Sequence, residues 1–288
     1  MGIKKYKFTG EKKFDIRDFD TSDTGEFKNR EELQGLIDKN MSQMREYQDK
    51  LYAEGKNGIL IIFQAMDAAG KDGAVNHVFS GLNPQGVDVL SFKQPSSEEL
   101  AHDYLWRVHK NVPQRGKIAI FNRSYYEDVL VARVHKLYEQ QNLPDRCKED
   151  GVIGKRYGQI RNFEEYLWEN GISIVKLFLH ISKDEQKKQF LERIEDKSKN
   201  WKFSKSDMLE REHWEDYQDA YEKAINKTST EKCPWYVIPS DNRWFARKLI
   251  SEVIVKTMGD INPRYPKISK EAEAELQNCK KSLLDDEY

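Results

Sequence analysis

Between Gln64 and Gly73 the chain reads QAMDAAGKDG, a short loop with two carboxylates, two glycines and one lysine directly after an apolar run. That grouping suits phosphate. Gly70 permits a tight turn, a helix starting near Lys71 would aim its positive end at an anion, and Lys71 adds a full charge. The ordinary phosphate loop is GxxxxGK[ST], in which the hydroxyl ligates Mg2+. Here Ala65 stands at the first glycine and Asp72 at the hydroxyl. The cradle of Ala69, Gly70, Lys71, Asp72 and Gly73 is kept, and Asp67 is the carboxylate best placed to take over the metal. A plain glycine turn with a solvated lysine would explain neither Asp67 nor the strand before it.

A second group follows at KIAIFNRSYYED, residues 117–128. An apolar strand ends in Asn122-Arg123-Ser124, where a metal-binding acid is the usual residue. Asn122 carries no charge, so Glu127 and Asp128 are the nearby candidates for one. Arg123 is suited to bidentate contact with a transferring phosphoryl group, against the alternative of pairing with Glu127. Residues 183–205 carry eight cations against five acids, with Phe190 and Ile194 spaced to anchor one helical face and Trp201 and Phe203 to hold the returning segment. That pattern fits a helical lid over phosphates. Lys93, leaving the second strand, either meets an acceptor phosphate or is solvated. Arg107, one turn beyond Asp103, either lines a nucleotide pocket or belongs to an amphipathic helix.

These groups need elements to hold them. Apolar runs at 58–64, 87–92, 117–122, 171–182 and 235–239 read as strands. Helical patterns lie at 26–54, 71–80, 96–112, 124–140, 159–170, 184–197, 205–226 and 243–258, with a loop over 141–158. Ser96 with Glu99 makes a capping box, and Ser182 a further cap. Strands alternating with helices imply right-handed crossovers and a parallel sheet covered on both faces, which binds ligands at the carboxyl ends of its strands. Residues 1–25 read as an extended arm, and the last stretch as a charged, loosely held helix.

Composition narrows the class. Lys and Arg number 48 against 49 Asp and Glu, which does not favour nucleic acid as a partner. No apolar run approaches the roughly 20 residues of a membrane span, and the N-terminus lacks a signal peptide's apolar centre, so a cytoplasmic protein is expected. Cys147, Cys233 and Cys279 are expected as reduced thiols, and the six histidines show no metal-ligand spacing.

Taken together, the xDxxGK loop, the NRSYY strand exit and the segment ERIEDKSKNWKFS at 192–204 resemble the type-2 polyphosphate kinases, relatives of thymidylate kinase, over roughly residues 30–260. The resemblance implies a nucleoside-kinase-like three-layer α/β/α fold and Mg2+-dependent phosphoryl exchange between inorganic polyphosphate and nucleotides: AMP and ADP, with GMP and GDP as further acceptors. It implies polyphosphate-facing roles for Lys187, Arg193 and Lys202, and a homo-oligomer. Many members carry Asp at position 122. Asn122 with Glu127 resembles the subgroup that accepts nucleoside mono- as well as diphosphates. The expected organisation is an N-terminal arm and helix over 1–55, a kinase domain over 56–262 with a lid at about 183–211, and a charged tail over 263–288. The alternatives are an ATP-dependent nucleoside monophosphate kinase of the same fold and a binding module without turnover.

Overall fold

A run such as GILIIFQA has two apolar faces to cover, and only the middle of a sheet flanked on both sides covers them. In the computed structural model, which describes residues 2–148 and 151–285, that run is central. The strands are β1 (Lys7–Phe8), β2 (Gly58–Ala65), β3 (Val87–Ser91), β4 (Ile118–Asn122), β5 (Ile172–His180) and β6 (Trp235–Pro239), in the spatial order β1-β6-β5-β2-β4-β3. Every residue of β2 is buried. It pairs in parallel with β4 and β5, with Phe63 opposite Asn122 and Ala65 opposite Leu179. The chain leaves β2 toward β3 on one side and later returns to β5 on the other. The end of β2 is therefore the switch point where such sheets open a crevice.

The helices, in chain order, are α1 (Glu31–Glu54), α2 (Lys71–Phe79), the one-turn α3 (Ser97–Leu100), α4 (Trp106–His109), α5 (Val131–Val134) and α6 (Leu137–Gln140), then α7 (Val152–Glu169), α8 (Lys183–Glu195), α9 (Lys205–Glu212), α10 (Trp214–Thr228), α11 (Arg243–Ile261) and α12 (Lys270–Leu284). Helices α2 and α11 pack on the sheet with α1 against α11, and α7 packs on β5 beside α10. Among the described residues no helix is long and apolar enough to cross a membrane, and Cys147, Cys233 and Cys279 are free.

Several stretches depart from the sequence pattern. The Ser96–Glu99 box forms, but α3 ends after one turn, and Asp103 Oδ1 then accepts Leu105 N at 3.0 Å, a local competitor of the helix. Over 124–140 there is no single helix. Tyr125 and Tyr126 hydroxyls both donate to Glu164 Oε1, at 2.9 and 2.8 Å. The two rings lie side by side, centroids 5.1 Å apart, and this shared carboxylate anchors a 3-10 turn over Tyr125–Asp128 in place of the expected helix. The loop expected over 141–158 yields to α7 from Val152, whose Gly154 and Gly158 face open space. His213 divides 205–226 into α9 and α10. Residues 149–150, in the expected loop, and 286–288, in the tail, lie outside the described residues.

The N-terminal arm does more than lie across the surface. Tyr6, Phe14 and Ile16 are buried, and β1 runs antiparallel to β6, which makes the otherwise parallel sheet mixed.

Candidate active site

The loop after β2 turns twice through the left-handed region, at Ala68 with φ 67° and Gly70 with φ 92°. Arg123, just past β4, does the same with φ 64°. Glycine takes that conformation freely, whereas Ala68 and Arg123 each carry strain of about 1 kcal/mol or more. Two strained non-glycine residues thus border one cavity of about 530 Å3 at the carboxyl ends of the strands.

Charge fills this cavity. Lys71 Nζ donates to the backbone oxygens of Ala65 at 2.8 Å and Met66 at 3.4 Å, its only acceptors among the described residues. Burial lowers its pKa, with Asp67 the strongest opposing influence. Arg123 Nη2 donates to Asp67 Oδ1 at 3.1 Å, and Arg123 N to Phe63 O at 3.1 Å. Burial would lower the Arg123 pKa, but Glu127 and Asp67 outweigh it and leave it raised. Asn122 Nδ2 donates to Asp72 Oδ1 at 2.6 Å, which ties the end of β4 to the first turn of α2.

The opposite wall comes from α8, α11 and the connection between α8 and α9. Gln186 Nε2 donates to Asp67 O at 3.0 Å, and Arg243 Nη2 donates to Gln189 Oε1. A side chain at Gly70 would meet Arg243 Nε at 3.6 Å, and one at Gly73 would meet Arg247 Nη2 at 3.6 Å. Burial, then Arg243 and Arg30, hold Arg247 below the ordinary guanidinium pKa. Eight cationic side chains line the cavity against four carboxylates.

The cavity gathers Asp67, Ala69, Gly70, Lys71, Asp72, Gly73, Lys93, Asn122, Arg123, Arg193 and Lys202. It leaves out four other candidates, Glu127, Arg107, Lys187 and Asp128. Glu127 is not among the lining residues, and burial raises its pKa against the pull of Arg123 and Lys71. Arg107 donates to the Lys93 carbonyl at 3.0 Å and pairs with Glu99 at 3.3 Å, so it holds the strand exit. Lys187 lines a separate shallow depression on the far side of α8, because Gln186, Gln189 and Phe190 form that helix's buried stripe. Phe190 is buried against Phe203, but Ile194 is 49% exposed and does not anchor the same face. Trp201, 77% exposed, lines the cavity. Asp128 faces Arg156 instead, at 3.4 Å, and burial raises its pKa to about 6.

From the sequence, PSDNRWFAR at 239–247 takes the place of a base-contacting loop by analogy with related kinases, which gives Arg243 and Arg247 no phosphate role, though a signal for one is present. They stand in the first turns of a helix that has no acid in its first turn. Cations there oppose the helix dipole, an arrangement that suits a site expecting an anion.

Metal fits by donor chemistry. Asp67 offers hard carboxylate oxygens in the cavity, and among the described residues no cluster of three or more His, Cys, Asp or Glu could enclose an ion. One or two carboxylates completed by phosphate oxygens is the set Mg2+ accepts.

Sheet order, strained loop and cationic cavity define an α/β phosphate-binding protein of kinase type. The family model described as Polyphosphate kinase 2 (PPK2) matches residues 27–266, and the chain belongs to that family. It is 46% identical, over 99% of its length and 100% of the relative's, to an ADP-polyphosphate phosphotransferase of Rhodopseudomonas palustris. It is likewise 46% identical, over 92% and 96%, to an AMP/ADP-polyphosphate phosphotransferase of Meiothermus ruber. Among solved structures, polyphosphate kinase 2 from Arthrobacter aurescens superposes with a TM-score of 0.87 at 38% identity, over 96% of each chain.

Proposed function

We propose that this chain transfers a phosphoryl group between inorganic polyphosphate and the nucleotides AMP and ADP. The observation that carries the reading is the excess of cations along one cavity, around a lysine that has only backbone acceptors among the described residues. A single phosphate needs fewer charges than eight; a chain of them uses several at once.

In this reading an oxygen of the nucleotide's terminal phosphate attacks the end phosphorus of polyphosphate, and the bond to the bridging oxygen breaks. The loose transition state spreads charge over three equatorial oxygens, so alignment and neutralisation do most of the catalysis. Lys71 and Arg123 face those oxygens. Asp67 orients Arg123 through their ion pair and would hold Mg2+, which when bound screens the phosphates. Arg193, Lys202, Arg243 and Arg247 grip the donor chain, and α8 to α9 act as its lid. Lys93, steadied by Arg107, stands on the acceptor side with Asn122 and Glu127. A homo-oligomer is part of the proposal, and light scattering that returned a multiple of 34.0 kDa would support it.

The test offers purified protein Mg2+ and long-chain polyphosphate with AMP or ADP separately, products being followed by chromatography. ATP from ADP and ADP from AMP, both lost in Asp67→Ala, are expected. Turnover only after ATP is added as donor would overturn the reading in favour of a nucleoside monophosphate kinase.

A further inference from the structure

The family match begins at residue 27, yet the arm before it is tied to both loops that flank the cavity. Its base is firmly held. Phe14 N donates to Asn226 Oδ1 and Asn226 Nδ2 donates back to Phe14 O, both at 2.8 Å, while Ile16 N donates to Glu222 Oε2 at 3.1 Å. From that base Thr21 reaches Asp241, with Thr21 Oγ1 donating to Asp241 Oδ2 at 2.8 Å and Asp241 N to Thr21 O at 3.1 Å. Asn242 Nδ2 adds a bond to Ser22 O at 2.9 Å.

Asp241 has a second task. Its Oδ1 accepts Ser182 N at 2.8 Å, and Ser182 is the N-cap of α8. On its other side, Asn242 directly precedes Arg243, the first residue of α11. One carboxylate therefore joins the arm to the starts of both helices. One turn further along α8, Gln186 holds the Asp67 carbonyl and Gln189 holds Arg243.

We propose that Thr21 and Asp241 are positioning residues, through which the N-terminal arm sets how α8 and α11 are seated over the 66–73 loop. A carboxylate shared between two elements fixes their separation more tightly than either bond alone, and small misplacements about a phosphoryl site are costly. The role is separable from docking of the arm. Phe14, Ile16 and the β1–β6 pairing hold the arm without the Thr21 hydroxyl, so its removal takes one bond from the Asp241 carboxylate and leaves the fold intact.

The inference rests on the polyphosphate reading for its kinetic part only. Thr21→Val, Thr21→Ser and Asp241→Ala are compared with the unaltered full chain by hydrogen exchange over 183–195 without ligand, and by steady-state kinetics. Thr21→Val is expected to speed exchange in the first turns of α8 and to raise KM for polyphosphate about fivefold, the scale of one lost hydrogen bond, with KM for ADP unchanged. Thr21→Ser, which keeps the hydroxyl, should match the unaltered chain in both. Asp241→Ala should exceed Thr21→Val. Unchanged exchange in α8 of Thr21→Val, or equal effects of valine and serine, would overturn the proposal. Absence of any polyphosphate turnover in the unaltered chain would sink the phosphotransfer reading alone, because the exchange comparison needs none.

Discussion

Lys176, at the middle of β5, and Lys71, at the end of the loop after β2, are two lysines set against the same sheet and satisfied in opposite ways. Lys176 is fully buried and donates to Glu164 Oε2 at 2.6 Å, Thr228 O at 2.8 Å and the Tyr126 hydroxyl at 3.2 Å. An ammonium has three donors, and all three are used. Glu164 in turn accepts from Tyr125 and Tyr126, and Thr228 accepts from Trp235 Nε1 at 2.9 Å. Among the described residues Lys71 meets two backbone carbonyls and no carboxylate. A charge buried within a completed network serves the fold, whereas one left short of partners beside an open cavity awaits a ligand.

Substitutions break that comparison cleanly. Lys176→Met strands Glu164 without its counter-charge, and about 3–5 kcal/mol of unfolding free energy should disappear in urea titration. Adding Glu164→Gln removes the stranded charge and should recover part of the loss. If Lys176→Met were as stable as the unaltered chain, the network would not be a structural one. Lys71→Met should do the reverse, lowering kcat/KM by about 10²–10³-fold with an almost unchanged urea midpoint.

A smaller effect sits at His180, buried beneath the N-terminal arm. Its Nε2 lies 3.4 Å from Ile16 O, its Nδ1 has no partner among the described residues, and burial lowers its pKa from 6.5 to about 4. Above pH 6.5 the ring is neutral whether folded or unfolded. As pH falls from 6.5 to about 4 the unfolded chain takes up a proton that the folded ring refuses, so stability drops, by roughly 3 kcal/mol in all. His180→Phe should flatten that limb of a Tm-against-pH curve, and an unaltered slope would count against the assignment. Least of all should change in Lys187→Ala. Its side chain lies outside the cavity, so kcat/KM for polyphosphate should stay within about twofold, the scale of a solvated surface charge.

How much of this was legible follows from where each signal resides. Strands β2, β4, β5 and β6 stand out because a strand buried on both faces reads as an unbroken apolar run, as in 58–64, whereas the edge strand β3 is half-exposed and reads as VDVLS. The 66–73 loop stands out because Gly70 and Lys71 sit between such a run and a helix. The region 96–140 does not, because Asp103 competes locally for the backbone after α3 and distant partners replace the helix expected over 124–140. Glu164 lies 39 positions from Tyr125, and no local pattern announces that bond. The arm's insertion is hidden for the same reason, since Phe14 meets Asn226 across 212 positions. Lys187 stood among the cations of 183–205, but only the buried stripe of Gln186, Gln189 and Phe190 shows which way it points. Arg243 and Arg247 were visible within 239–247, and the absence of an acid from the first turn of their helix was the clue to weigh.

The central claim is that the cavity's unneutralised cations hold a polyphosphate chain. Calorimetric titration of long-chain polyphosphate at several salt concentrations tests it most directly. Binding should weaken steeply and linearly in log K against log salt, as for other polyanions that release counterions, and the slope should shrink in Lys71→Met and in Arg243→Gln. Binding that ignores salt, or a slope the same in both variants as in the unaltered chain, would contradict it.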